Sequence, residues 1–385
     1  MGIYSEYLDR QFQFQDLTAE RKNQLRRISQ LRGGRDVLVF AADLKKGTAP
    51  IGISYSDLLP ISDQLANLKG SALDLILETP GGSGETAEDI VRLLHGRYEH
   101  LAVLVPGTAK SAGTIIAMAG NEILMEPISS LGPIDAQLTW QGKVFSADAL
   151  LEGMEKIKRE VQQTGILNRA YIPILQGISP GELQSAENAL KFAKVLVTDW
   201  LAQYKFKDWT THSSTGKPVT EEERKERARQ IADSLCDHSK WLTHGRSIKL
   251  QDLDKMRLRI NDYSKESDLA DAIRRYHCLL QMTFETNIYK IFETPDSQIV
   301  RISMPQVQAP VRASDGDIAV LEVPCPRCSA VSRVQANLGR TFPIEAGNHP
   351  FPHDNRFRCP KCGNEVDLSD ARRQIEAQAK KRVTA

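Results

Sequence analysis

No apolar run in this 385-residue chain approaches the ~20 residues needed to cross a bilayer. The opening stretch, MGIYSEYLDRQFQFQDL, lacks the basic-then-apolar layout of a secretory leader. Glu6 stands where the myristoylation pattern needs Ser or Thr. Neither sign of charge is in excess: 50 Lys+Arg face 49 Asp+Glu, so no global field recruits nucleic acid or an acidic surface. Cysteine is scarce. Cys236 and Cys278 stand alone and the other four are grouped, which fits free thiols in a reducing compartment better than a disulfide framework. There is no internal repeat and no low-complexity tract. These absences lead us to expect a cytoplasmic protein without a membrane span, long enough for two or three domains.

What is present alternates. DVLVFAAD (36–43), LDLILET (73–79), HLAVLVP (100–106) and EILME (122–126) read as buried strands. Helical patterns over 56–69, 84–97 and 111–120 separate them. Continuous apolar strands alternating with helices predict a parallel α/β sheet covered on both faces. A polar helical segment over 1–34 precedes it, ended by Gly33 and Gly34. Long helices are expected over 148–206, 220–235 and 266–294. The stretch 304–317, rich in Pro and small polar residues, reads as a linker between a 35–303 domain and a 318–385 module.

Two turns carry the chemistry. After the second strand comes ETPGGSGETA, which contains G-x-G-x-x-A as Gly82, Gly84 and Ala87. A dinucleotide site would need an acid at the end of the next strand, where Val105 and Pro106 stand. A Walker loop would need Gly-Lys-Ser/Thr, and Glu85 follows Gly84. The phosphate reading is therefore weak, and the plain alternative is a tight strand-to-helix turn in which glycine supplies unusual backbone angles. The next turn, VPGTAKSAGTIIAMAG, sets Ser111 at the start of a helix of small residues, either as a cap or as a nucleophile whose developing charge the helix N-terminus would favour.

Taken together, ETPGGS, a 29-residue step from Gly82 to Ser111, and SAGTIIAMAG resemble the Clp-type peptidase subunit and its crotonase-superfamily relatives. SSLGPIDAQL (129–138), ELQSAENALKFA (182–193) and WLTHGRSIKLQDLDKM (241–256) are similar to blocks of the serine dehydrogenase proteinase family, itself similar to signal peptide peptidase A. The resemblance implies a Clp/crotonase-type parallel sheet with flanking helices. It also implies Ser111 as nucleophile, with the Gly82 and Ala112 N–H groups as the oxyanion hole. The glycine loop would then hold an oxyanion.

The general base stays open at this level. A histidine one strand after the nucleophile, as in the Clp-type subunit, has no counterpart; the place falls near Asp135, a candidate orienting acid. Lys110 adjoins Ser111 but points elsewhere by helical geometry. Relatives of signal peptide peptidase use lysine, and Lys191 lies on the resembling helix with Leu190, Phe192 and Val195 to bury it. Such a base must titrate about 3 units below the lysine reference, a cost of about 4 kcal/mol. His244 is the alternative, since histidine as a residue type works near neutrality. Lys143 is a third option.

The C-terminal module offers CPRC (325–328), thirty intervening residues and CPKC (359–362). Two C-x2-C knuckles in this setting point to one structural zinc held by Cys325, Cys328, Cys359 and Cys362, with His349 or His353 as substitutes. The reading is a zinc ribbon ending in a basic helix. The expected function is a serine endopeptidase acting on peptide or protein substrate and assembling as a homo-oligomer, with nucleic acid a possible partner of the ribbon. The alternatives are a non-catalytic scaffold or adaptor working through the ribbon and a crotonase-type acyl-CoA enzyme.

Overall fold

A computed structural model describes residues 2–140, 143–212, 215–303, 312–313 and 317–384. The expected linker 304–317 lies almost wholly outside these residues. The chain forms two compact units, Met1–Ser303 and Met304–Ala385.

The first unit is built on seven strands: β1 (Asp36–Ala42), β2 (Ala72–Glu78), β3 (His100–Val105), β4 (Glu122–Met125), β5 (Asn261–Asp262), β6 (Ile288–Glu293) and β7 (Gln298–Ile302). Their spatial order is β7-β6-β1-β2-β3-β4-β5. The run from β1 to β5 is parallel, and β6 and β7 join the β1 edge as an antiparallel hairpin. Side chains divide between the faces with period two. Leu38, Phe40, Leu73, Leu75, Leu77, Leu101, Val103 and Val105 enter one core, while Val37, Val39, Ile76, Ala102 and Leu104 enter the other.

Helices cover both faces, as continuous apolar strands require. On the second face lies α1 (Phe14–Leu31), which buries Leu25 and Ile28. On the first lie α2 (Leu58–Ala66), α3 (Gly84–His95) and the wholly buried α4 (Ala112–Met118). The same face receives Ala193, Leu196, Val197 and Trp200 of α5 (Pro180–Trp200), and Ala228, Ile231, Ala232 and Leu235 of α6 (Glu221–Cys236). The second face is completed by α7 (Ser267–Phe284). Each fully buried aliphatic side chain contributes about 1.5–3 kcal/mol.

Two expectations are corrected. The helix expected over 266–294 stops at Phe284, and IYKIFE is strand β6. Its Lys290 and Glu293 hid the buried character of the run. Both are buried as paired ions: Lys290 Nζ lies 2.7 Å from Asp57, and Glu293 accepts from Arg21 at 3.1 Å and from Tyr276 at 3.0 Å. The expected helical stretch 148–206 is also broken. Helix Ala147–Thr164 is separated from α5 by a 3-10 turn (Arg169–Tyr171) and a short helix (Ile172–Gln176), and the stretch ends in a π turn at Leu201–Lys205.

The second unit, taken alone, pairs strands Ile318–Pro324 and Val331–Leu338, with Asn348–Pro350 and Val383–Thr384 beside the latter. A hairpin, Arg356–Arg358 with Glu365–Asp367, and helix Ser369–Ala379 complete it. The terminal helix is more than a solvated basic face, because Ile375 enters a core with Leu321, Val334, Ala336, Phe351 and Phe357.

Candidate active site

A second, shorter ladder runs beyond the carboxyl ends of β2 and β3 and holds the two turns together. Thr79 N–H donates to Thr108 O at 2.9 Å, and Lys110 N–H to Thr79 O at 3.0 Å. Strand Thr108–Ala109 pairs in parallel with Ser130–Leu131. Leu131 and Ile248 then exchange backbone hydrogen bonds at 3.0 and 2.9 Å. Each rung delivers one candidate residue: Gly82 three positions after Thr79, Ser111 two after Ala109, Asp135 four after Leu131 and His244 four before Ile248.

The glycine turn has its own anchor. Ile53 N–H donates to Gly81 O at 2.7 Å, and Ser83 N–H donates to Ile53 O at 2.9 Å. This parallel bridge aims the Gly82 N–H away from Ile53, and it has no acceptor among the described residues. Only glycine fits here. Gly81 and Gly82 have φ of 104° and 144°, and a Cβ on Gly82 would stand 2.3 Å from Ile53 N.

Ser111 is held at φ 49°, ψ −118°, a conformation that non-glycine residues rarely adopt and that costs about 1–3 kcal/mol. The same sharp strand-to-helix geometry exposes the nucleophile of α/β-hydrolases. Ser111 O accepts from Ile115 N–H at 3.1 Å, while the Ser111 hydroxyl has no hydrogen-bond partner among the described residues. Ala112 N–H, the first of α4, likewise has no acceptor among them. A cleft of about 530 Å³ opens over these groups, lined by Gly82, Ser111, Ala112, Asp135, Gln137 and Phe192 among others.

Asp135 is 1% exposed. Its Oδ1 lies 2.7 Å from His244 Nδ1, and its Oδ2 lies 3.2 Å from His238 Nδ1 and 2.9 Å from Gln137 Nε2. Burial alone would raise its carboxyl pKa, but hydrogen bonds from His244, Ser146 and His238 and the His244 charge hold it below the usual value. An ionised carboxylate only accepts, so both imidazoles present Nδ1–H to it. When His244 is neutral, that tautomer leaves its Nε2 as a proton acceptor, with no partner among the described residues. No hydrogen bond joins His244 to Ser111 in this state, and such contacts commonly tighten only around substrate.

Lys191 does not join this group. Its neighbours Ser185, Asn188, Ala189, Phe192 and Ala193 line the cleft at helical spacing, which turns Lys191 onto another face of α5, where it is exposed. The burial expected of a lysine base is absent, because one turn of α5 cannot present both Phe192 and Lys191 to the same side. The side chain of Lys143 lies outside the described residues. Lys110 has a different task. Its Nζ reaches Leu131 O at 3.0 Å, Arg246 O at 2.8 Å and Ser247 Oγ at 3.1 Å, tying the Ser111 turn to the arm that carries His244. Burial, with Lys249 nearby, pushes its pKa down to about 8.

Sequence reasoning missed two more residues. Thr114 accepts from Gly132 N–H at 2.9 Å, and its hydroxyl lies within 3.0 Å of Gly132 O, bracing the segment that leads to Asp135. His238 gave no signal beyond its nearness to His244.

In the second unit the four sulfurs of Cys325, Cys328, Cys359 and Cys362 lie within 4.8 Å of one another. A tetrahedral zinc with Zn–S bonds of about 2.3 Å needs sulfurs about 3.8 Å apart. Cys325–Cys362 at 3.4 Å and Cys328–Cys359 at 3.8 Å fit that demand. The two knuckles fold alike: Ser329 N–H donates to Cys325 O and Gly363 N–H to Cys359 O, both at 2.9 Å. Burial disfavours the Cys325 thiolate, yet backbone N–H groups of Arg327 and Cys328 bring its pKa down to about 6. His349 packs on the Phe357 ring, with centroids 5.6 Å apart, and is not in the cluster.

The packing of the glycine turn on the serine turn yields a direct prediction. A Cβ on Gly81 would stand 2.6 Å from Ser111 Cβ and 2.8 Å from Lys110 O. Gly81→Ala should slow the reaction of Ser111 with a fluorophosphonate at least about 100-fold, since a shift of about 1 Å at a reacting group has that effect. Circular dichroism should stay unchanged. A wild-type labelling rate in a folded Gly81→Ala protein would show that this turn does not set the position of Ser111.

Residues 3–170 match the ClpP-like SDH-type serine proteinase family. The match takes in Gly82, Ser111, Ala112 and Asp135 and ends before His238 and His244. Two uncharacterized proteins of Methanocaldococcus jannaschii are each 28% identical to the chain. One aligns over 228 residues, covering 56% of this chain and 74% of its own length; the other aligns over 143 residues, covering 35% and 48%. Among solved structures, a membrane-bound stomatin-specific protease complexed with a substrate peptide shares 17% identity at a TM-score of 0.30, over 53% of this chain and 68% of its own. A second mutant of that protease shares 21% at 0.21, over 37% and 80%. These overlaps are too slight to carry the fold, which rests on the family match and on the geometry above. Over residues 3–170 this chain is similar to the ClpP-like SDH-type serine proteinases.

Proposed function

We propose that the chain is a serine endopeptidase whose catalytic group is Ser111, His244 and Asp135. The observation that carries this assignment is the buried Asp135 carboxylate, which lines the cleft with Ser111 and holds His244 Nδ1 at 2.7 Å. His244 Nε2 takes the Ser111 proton as Oγ attacks the peptide carbonyl. The Gly82 and Ala112 N–H groups receive the oxyanion, and Asp135 stabilises the imidazolium. The imidazolium then protonates the leaving amine. Water, deprotonated by the same nitrogen, releases the acyl group from Ser111.

A fluorophosphonate should label the protein at Ser111, and Ser111→Ala should abolish the adduct. His244→Ala should slow labelling at least about 1,000-fold, whereas Lys191→Ala should leave it unchanged. Fast labelling of His244→Ala together with loss in Lys191→Ala would reverse the assignment of the base.

We also infer that Cys325, Cys328, Cys359 and Cys362 hold one structural zinc. All four positions are filled by thiolates, so the ion would stabilise the second unit without serving the peptidase. Metal analysis should find about one zinc per chain, lost in Cys359→Ser. Full occupancy in that variant would exclude the four-cysteine site.

Self-association is the reading we propose for helix Ala147–Thr164. It buries only Ala147, leaving Leu150, Leu151, Met154, Ile157 and Val161 half-covered. The segment after it exposes Ile166, and Ile174 on the short helix Ile172–Gln176, by 72% and 52%. Apolar surface of this kind marks an interface. Light scattering should give a multiple of the 43.0 kDa chain mass that falls in Ile166→Glu/Ile174→Glu. A monomeric wild type would contradict it.

A further inference from the structure

His238 has no part in the mechanism above, yet it meets the same carboxylate as His244. Asp135 sits between the two imidazoles, with His244 on Oδ1 and His238 on Oδ2. Both histidines come from one short stretch. After α6, Asp237 caps a single turn by accepting from Lys240 N–H at 3.0 Å; Leu242, at φ 67°, then reverses the chain toward His244. Trp241, buried between them, donates its indole N–H to Ser234 O at 2.7 Å. His238 is fixed independently of Asp135, because its backbone N–H donates to Asp148 Oδ2 at 3.1 Å. The segment before Asp135 is tied to the same helix end by Ile134 N–H donating to Leu235 O at 3.1 Å.

We propose that His238 is a positioning residue for the peptidase reaction: its Nδ1–H, with the Gln137 amide, fixes the plane of the Asp135 carboxylate so that Oδ1 stays aimed at His244. This rests on the reading of His244 as the base. A carboxylate held through one oxygen can turn about its Cβ–Cγ bond, and each turn swings the imidazole that depends on it. Donors on the second oxygen remove that freedom. Gln137 is exposed at the cleft rim, whereas His238 is half-buried and anchored through its backbone N–H, which makes it the better-fixed donor on Oδ2; Ser146 also donates to this carboxylate. The role needs one N–H at the Nδ1 position and no proton transfer. Asparagine offers its amide N–H near that position, and alanine offers none.

The test compares His238→Asn and His238→Ala in the full-length protein, reading the saturation kinetics of Ser111 labelling by a fluorophosphonate. The expected result for His238→Ala is a maximal labelling rate about 10- to 100-fold lower, with the half-saturating probe concentration unchanged. His238→Asn should return the rate to within about twofold of wild type. A wild-type rate in His238→Ala overturns the proposal. So does an Asn variant as slow as the Ala variant, because the imidazole itself would then be required. If the Ala variant fails to fold, Asn against wild type decides alone: equality supports the proposal and a loss overturns it. His244→Ala, run in parallel, tests the underlying reading separately, since rapid labelling there removes the base assignment whatever His238 does.

Discussion

The site depends on a ladder of backbone hydrogen bonds laid across the ends of the main sheet. The inner strands of the main sheet are buried on both faces along nearly their whole length. Chemistry has to be placed just beyond the strand ends, where open α/β sheets characteristically bind ligands. Thr79, Ala109, Leu131 and Ile248 are joined rung to rung, so four segments far apart in sequence arrive in one register. Buried Leu131, Ile134 and Ile248 fasten the ladder to the first core. The backbone strain at Ser111 persists because the ladder on one side and the buried α4 on the other leave the chain no relaxed alternative.

The chain order of the proposed group, Ser111, Asp135 and His244, differs from the Clp-type order implied by the family resemblance. It matches the order of α/β-hydrolases, in which nucleophile, acid and base also follow in that sequence. The same roles recur in several orders on unrelated folds, so geometry identifies them better than sequence position does. Asp135, the acid of the proposed group, stands near the place where the Clp-type subunit has its histidine. The histidine is supplied by a loop that follows α6 and returns to the ladder at Ile248.

Much of this was legible in the sequence, for definite reasons. The four inner strands are uniformly apolar and bounded by turns, so their positions were read to within a residue or two. The glycine pair and the small residues around Ser111 exist because backbones approach closely there, and that need shows as composition. The four cysteines share one spacing pattern, and their sulfurs lie together as a tetrahedral site would demand. Strand β6 was misread because Lys290 and Glu293 are buried as ion pairs with Asp57 and Arg21, which no local pattern reveals. Lys191 drew attention through its place on the resembling helix, but Phe192 takes the cleft side of α5 and Val195 is itself exposed, so the lysine is left in solvent. His238 was invisible because its partner, Asp135, is 103 residues distant in sequence.

The central claim is that an imidazole held by Asp135 deprotonates Ser111. A peptidyl chloromethyl ketone tests it most directly, because such a reagent binds as substrate and alkylates the base that stands beside the nucleophile. Peptide mapping of the treated protein should find the modification on Nε2 of His244, with none in Ser111→Ala. Alkylation at Lys191, with His244 left unmodified, would contradict the account.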